Sequence, residues 1–267
     1  MSTARTAAVP GWLPAISAIA RNTFREAVRD RVLYLMLAFA LLMILASRFL
    51  AMLTVGSETK IIKDLGLSAI SVFGLLTAVF VGVSLVFKEI DKRTIYTLLA
   101  NPVRRWQFVT GKYAGLLSVL TLNAVVMFAV LTVVLWTYGE SPAPLVPAVA
   151  LILVELSIVA AIAILLSSYT NPMLAALGTV AAYVAGHLSW SFELLARRIP
   201  EGSGRGLVRV LSWLVPNLDR LDLKALAVHG VPIPAGQVGY AVLYGLGYAI
   251  AVLVLACVVF ERREFRA

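Results

Sequence analysis

Between Leu67 and Phe87 the sequence LSAISVFGLLTAVFVGVSLVF runs for twenty-one residues without one charge. A helix of that length rises about 30 Å, the thickness of a bilayer's hydrocarbon core. Apolar runs of similar length recur at 32–55, 113–138, 146–168, 173–190 and 238–260. In hydrocarbon, every backbone N–H and C=O must find its partner within the protein, so each run reads as a helix. The fold class is an all-α integral membrane protein with six transmembrane helices, forming one domain over residues 1–267. The composition agrees: 61% of residues are hydrophobic and 14% charged, against about 45–50% and about 25% in soluble domains.

A net charge of +9 in a soluble protein would point to nucleic acid. Beside membrane spans it reads instead as basic residues that hold the cytoplasmic side and meet anionic membrane lipid, and no nucleic-acid partner is inferred. With both termini cytoplasmic, the inside segments hold 14 of the 23 Lys and Arg residues. That places the chain in the cytoplasmic membrane as a multi-pass protein. The segment before the first run is polar and arginine-bearing, without the short apolar region and cleavage pattern of a signal peptide. Cys257 stands alone in an apolar run, and His187 and His229 lie too far apart for a ligand motif, so no metal site is predicted.

The polar interval from Lys88 to Lys112 carries six Lys and Arg residues in 25 positions, between two uncharged spans. Its first part, 88–102, reads as a short amphipathic helix: Ile90, Ile95, Leu98 and Leu99 share one face, while Glu89, Lys92, Arg93 and Thr97 point elsewhere. Pro102 stops it. Residues 11–30 form a second amphipathic stretch, an elbow helix. Trp12, Ile16, Ile19, Phe24 and Val28 alternate there with Arg21, Arg25 and Arg29, too charged to span and suited to the interface. The interval 191–237 reads as a long external loop holding an amphipathic helix near Gly206–Pro216, and residues 56–66 as a short external loop.

Within the spans, small residues recur four apart at Gly74, Ala78 and Gly82, and again at Gly178, Ala182 and Gly186. Such stripes let helices approach closely, either inside one chain or across a dimer face. Glu155 is the one acid deep in a span, and Asn123 lies at similar depth. A carboxylate there costs about 2.5–3.5 kcal/mol on insertion scales, so it faces the protein interior, is protonated, or has a partner. Depth alone predicts that Asn123 and Glu155 meet across antiparallel helices, either as a polar substrate or proton site or as a hydrogen bond that fixes packing. His187 with Trp190 reads as an interfacial belt. Catalysis is excluded on motifs: there is no H-E-x-x-H and no G-x-S-x-G. Gly111-Lys112 is not a phosphate loop, because Trp106 stands where its first glycine belongs and Tyr113 where its hydroxyl belongs. An energy source must sit on another polypeptide.

The interval from Glu89 to Lys112, with an acid, Thr94, Leu98-Leu99, Pro102, Arg105 and Gly111-Lys112, resembles the ABC-2 permease subunits of type V exporter fold. The elbow helix, the six spans, the long fifth-to-sixth loop and the FERREF ending are similar along nearly the whole chain. Within the family, PNLDRLDLK (Pro216 to Lys224) is similar to the permeases of multicopper-enzyme and nitrous-oxide-reductase maturation. The resemblance implies a permease that pairs with a second copy or a paralogue and binds two copies of a separate ATP-binding subunit. ATP and Mg would be held on that subunit, with no cofactor on this chain. It further implies that 88–102 is the coupling helix, with Glu89, Asp91, Lys92, Arg93, Thr94, Leu98, Pro102 and Arg105 as its contact set. Export of a hydrophobic or lipid-like substrate is the implied activity. A mechanotransmission complex acting on a periplasmic partner, and a stand-alone channel or scaffold, are the alternatives.

Overall fold

The computed structural model describes residues 12–52, 57–91, 104–189, 191 and 215–262. Its helices are α1 (Trp12–Val28), α2 (Arg31–Met52), α3 (Glu58–Asp91), α4 (Arg105–Trp136), α5 (Val146–Ser167), α6 (Pro172–His187), the short α7 (Lys224–Val228) and α8 (Ala235–Arg262), with 3-10 turns at Ala143–Leu145 and Leu218–Leu221. No strand occurs among the described residues. Five helices, α2, α3, α4, α5 and α8, are long and apolar enough to cross a membrane, and α6 is a shorter apolar helix of 16 residues. The protein is a multi-pass, all-α membrane protein.

The bundle is built around α5. Its sequence, VPAVALILVELSIVAAIAILLS, is apolar on every side, and buried positions follow one another around it from Ala148 to Ser167. A helix apolar all round has no outward face to offer, and α3, α4, α6 and α8 all pack on it. By contrast α2 and α8 expose long apolar side chains, among them Phe39, Leu42, Phe49, Leu243 and Ile250, as helices at the lipid boundary do.

The second span is longer than its uncharged stretch. The sequence reading places a loop at 56–66, but α3 begins at Glu58 and runs 34 residues to Asp91, a rise of about 51 Å. The charges of that stretch lie on one side: Lys60 and Asp64 are exposed, while Ile62, Gly66 and Ala69 continue the buried face. Lys63 is turned inward to Glu140 in the turn before α5, at 2.8 Å, and holds that carboxyl below its usual range. At the opposite end α4 starts at Arg105 rather than Tyr113, so both helices extend past the hydrocarbon. Arg48 of α2 stacks over the Tyr138 ring, 5.7 Å from its centroid.

The SSYTNP turn follows ordinary capping chemistry. The Leu174 N–H donates to Asn171 Oδ1 at 2.8 Å, and Pro172 opens α6, where its missing N–H is not needed.

A close helix approach joins α1 and α4, which pack along much of α1. The buried side of α1 is Ala15, Thr23 and Ala27, not its large apolar residues; Trp12 and Leu13 are exposed. Facing them, α4 presents Gly111 and Gly115, four apart. A Cβ on Gly115 would lie 2.5 Å from Thr23 Cβ and 2.8 Å from the Ala20 carbonyl oxygen. Backbone cannot yield as a side chain can, so Gly115→Ala is expected to lower stability by about 1–3 kcal/mol through overpacking. Gly247 on α8 has open space around it, so Gly247→Ala leaves stability unchanged or raises it slightly. Denaturation of the two variants in one detergent, with protease protection of α1, checks the contrast; equal shifts would refute the seam.

Candidate functional site

Two groups of polar residues sit at opposite ends of the bundle. The first surrounds the charged interval. Of the coupling set, Glu89 and Asp91 lie on the last turn of α3, and Lys92, Arg93, Thr94, Leu98 and Pro102 lie outside the described residues. What the structure describes is how the two ends of that interval are held.

At its entry, Lys88 Nζ donates to Asp30 Oδ2 at 3.0 Å, in the corner between α1 and α2. At its exit, Lys112 is buried at 2% exposure and lies 3.6 Å from Glu26 of α1, with its ammonium 5.6 Å from the Phe108 ring centroid. Lys88 and Lys112 thus both reach acids on or beside the elbow helix. Gly111 makes this possible: a Cβ there would lie 2.7 Å from Ile19 Cβ, so only glycine lets α1 lie close enough for Glu26 to meet Lys112. The first turn of α4 is stapled by Gln107, whose Oε1 accepts from the Arg104 N–H at 2.9 Å. Arg105 does not project from the interval. Its guanidinium donates to the Glu261 carbonyl at 2.9 Å, at the end of α8, where unpaired helix carbonyls favour a cation. Phe108 stacks on Phe260 beside it, with centroids 5.8 Å apart. The ends of α1, α3, α4 and α8 therefore form one polar and aromatic knot.

The second group lies inside the bundle toward the other end. Glu155 is fully buried, nine residues or about 14 Å inside α5. The predicted meeting of Asn123 and Glu155 does not occur. Asn123 Nδ2 donates to Thr77 Oγ1 of α3 at 3.1 Å. On α5 it is Leu156 that turns to α3, filling the space over Gly74. One residue is 100° around a helix, so Glu155 is directed to α6. There His187 Nε2 lies 3.5 Å from Glu155 Oε1.

His187 Nδ1 lies 3.3 Å from the Tyr183 carbonyl oxygen, and the two rings tilt together with centroids 4.5 Å apart. The Tyr183 hydroxyl pairs with Ser71 Oγ of α3 at 3.3 Å. Lys224 Nζ, from the segment between α6 and α8, donates to the same Ser71 Oγ at 3.3 Å and lies 3.6 Å from Asp222. His187 is thus a partner of the buried acid rather than an interfacial belt residue; Trp190 lies outside the described residues.

The small-residue stripes serve contacts within this chain. The Cβ positions of Gly74 and Gly82 are bordered by Leu156, and by Leu116 and Ala163; Ala78 between them is fully buried. Gly178 meets Leu166, Gly186 meets Leu218 and the Pro216 carbonyl, and Ala182 is half-buried. The seam that the sequence reading missed, Gly111 and Gly115, has the same four-residue interval. It was hidden in a segment read as charged interval and span boundary.

The knot has a defined pH response. The Val32 N–H, which donates to Asp30 Oδ1 at 3.0 Å, and then Lys88 hold the Asp30 carboxyl below its ordinary value, against the opposing effect of burial. A depressed carboxyl stabilises the fold fully above its unfolded value, near about 3.9, and loses that contribution as pH falls through the lower folded value. Asp30→Asn is expected to flatten this acid limb in the protease protection of α1. Lys88→Met should weaken protection at neutral pH by about 0.5–1 kcal/mol, as suits a partly exposed pair. Identical acid limbs in wild type and Asp30→Asn would remove the assignment.

Compared with known proteins, residues 17–265 match the family model described as ABC-2 family transporter protein. No curated protein matches the chain. A match over nearly the whole length, on an all-helical bundle with membrane-length apolar helices, shows that the chain belongs to the ABC-2 family of transporter proteins.

Proposed function

We propose that this chain is the membrane-spanning permease subunit of an ATP-driven exporter, coupled to a separate ATP-binding subunit through residues 88–102. One observation carries the reading: the polar interval from Lys88 to Lys112, which contains those residues, is tied at both ends to the elbow region, Lys88 to Asp30 and Lys112 to Glu26. A push on the interval would move α1, α3 and α4 as one piece, because α1 and α4 touch backbone to side chain at Gly115. A loose loop between spans would dissipate the same push. In this reading Glu89, Asp91, Lys92, Arg93 and Thr94 contact the ATPase, and Arg105 braces the knot from within.

Two permeases, identical or paralogous, and two ATP-binding subunits make the complex. ATP and Mg are held on the partner, in keeping with a family of membrane transport components. The excess of basic residues puts the termini and the charged interval in the cytoplasm. The apolar character of the spans favours a hydrophobic or lipid-like cargo.

A second reading has its own observation. Residues 215–234 are folded against the bundle, with Leu218, Leu221 and Leu223 buried and the Asn217 N–H donating to the Tyr244 hydroxyl at 2.8 Å. A rigid cap of this kind would let ATP-driven motion act on a periplasmic partner without moving cargo, as the likeness to maturation permeases implies.

Affinity capture of the tagged permease is expected to retain the ATP-binding subunit, and Glu89→Ala with Arg93→Ala to reduce the retained amount by about tenfold or more, a loss of about 1.4 kcal/mol. Undiminished capture by the double variant would refute coupling through this interval. ATP-dependent movement of a labelled lipid in proteoliposomes then separates export from mechanotransmission.

A further inference from the structure

The pair of buried Glu155 and half-buried His187 presents a chemical problem that neither reading of the function uses. Neither Glu155 oxygen nor His187 Nε2 has a hydrogen bond of good geometry among the described residues, although Nε2 and Oε1 are 3.5 Å apart. The imidazole orientation explains why. Nδ1 faces the Tyr183 carbonyl, which only accepts, so the ring proton of a neutral imidazole belongs on Nδ1. Nε2 is then a lone pair facing a carboxylate. Two acceptors confront each other inside a bundle where an unpaired polar group is costly. One added proton, on either atom, turns the clash into a charge-assisted or neutral hydrogen bond.

The charged neighbours of the pair are themselves engaged. Lys224 and Asp222 are within electrostatic range of Glu155, but Lys224 Nζ is engaged by Asp222 and by Ser71. Of the two, Lys224 acts on the carboxyl more strongly, and Asp222 opposes it. The Tyr183 hydroxyl lies between the carboxyl and Ser71, and its one proton serves one of them. From α4, Tyr113 donates to the Ser157 carbonyl. From α8, Tyr248 packs among the apolar residues beside the cap. Neither α4 beyond Lys112 nor α8 before Glu261 carries a charged residue.

We propose that Glu155 and His187 together form a proton-binding site, and that the bound proton locks the segment of residues 215–234 onto the bundle. The lock works through continuity. Lys224 reaches Ser71, Ser71 reaches Tyr183, and Tyr183 holds the His187 ring over Glu155, while Leu218 sits on Gly186, one residue from His187. Seating the segment excludes water from the pair, and the pair then keeps one proton. At neutral and alkaline pH, lifting it hydrates both groups and the proton leaves for solvent. Seating therefore takes up one proton at neutral and alkaline pH, so its equilibrium constant falls about tenfold for each unit of rising pH.

The test is amide hydrogen exchange on the full chain in lipid nanodiscs from pH 6 to 9, corrected for the intrinsic pH dependence of exchange. The amides of Ala227 and His229, bonded to the Leu223 and Ala225 carbonyls, report opening of the segment. Their protection factors are expected to fall about tenfold per pH unit above pH 7. In Glu155→Gln the side-chain amide donates to Nε2 without taking up a proton, so protection should show no such fall above pH 7. If that variant does not fold, Glu155→Met with His187→Leu leaves no titrating pair and should be equally flat. Wild-type protection that does not change with pH, as would follow if Lys224 alone balanced Glu155, overturns the proposal. So does a slope that survives in the variants.

Discussion

Inside hydrocarbon, helices gain nothing by hiding apolar side chains from a solvent that is itself apolar. What holds them in one arrangement is close contact, and close contact depends on small residues at the right places. The seam of α1 on α4 is the clearest case: Thr23 and the Ala20 carbonyl occupy space that any side chain at position 115 would claim. That approach brings Glu26 within reach of Lys112 and places the α1–α2 corner beside Lys88. Remove the glycines, and the acids of the elbow would face no cations. The ion pairs fix which way the seam slides; the glycines decide that there is a seam.

The spans were legible because length and apolarity are local properties, and a 21-residue uncharged run admits few structures in a membrane. Ends were harder to place. Lys60, Lys63 and Asp64 look like loop to any reading that counts charges, yet the buried series Ile62, Gly66 and Ala69 keeps helical period beneath them. A charge on one side of a protruding helix and a charge in a loop have the same composition. Periodicity alone separates them. The amphipathic character of α1 was legible for the same reason, but not its buried side. Trp12 and Ile16 advertise an apolar face, whereas a tight seam selects Ala15, Thr23 and Ala27.

Partners of buried polar residues were not legible, and the reason is angular. Depth can be counted along a sequence at about 1.5 Å per residue; the direction of a side chain around a helix depends on which neighbours the helix has. Leu156 and Glu155 are adjacent in sequence, yet one closes on Gly74 and the other faces His187. Nothing in the 31 residues between Glu155 and His187 marks them as a pair. An acid deep in one span and a histidine in the next span are nonetheless a signal, since each is rare at such depth and each needs the other.

The two polar groups are joined by α3. It is one helix of 34 residues, without proline, and both polar groups touch it. Lys88 is in its last turn, Thr77 meets Asn123, Gly74 receives Leu156, Ser71 joins Tyr183 to Lys224, and Lys63 reaches Glu140. A helix packed on several sides does not absorb a displacement at one end by bending, because its neighbours occupy the space a bend would need. Movement of the elbow knot must then appear as movement of Ser71 and Lys63 at the far end, or be resisted there by their partners. Lys88 and Ser71 are 17 positions apart, about 26 Å of helix rise. That is the span across which a cytoplasmic push and a buried proton would act on the same rigid body, each altering the free energy of the other's preferred position.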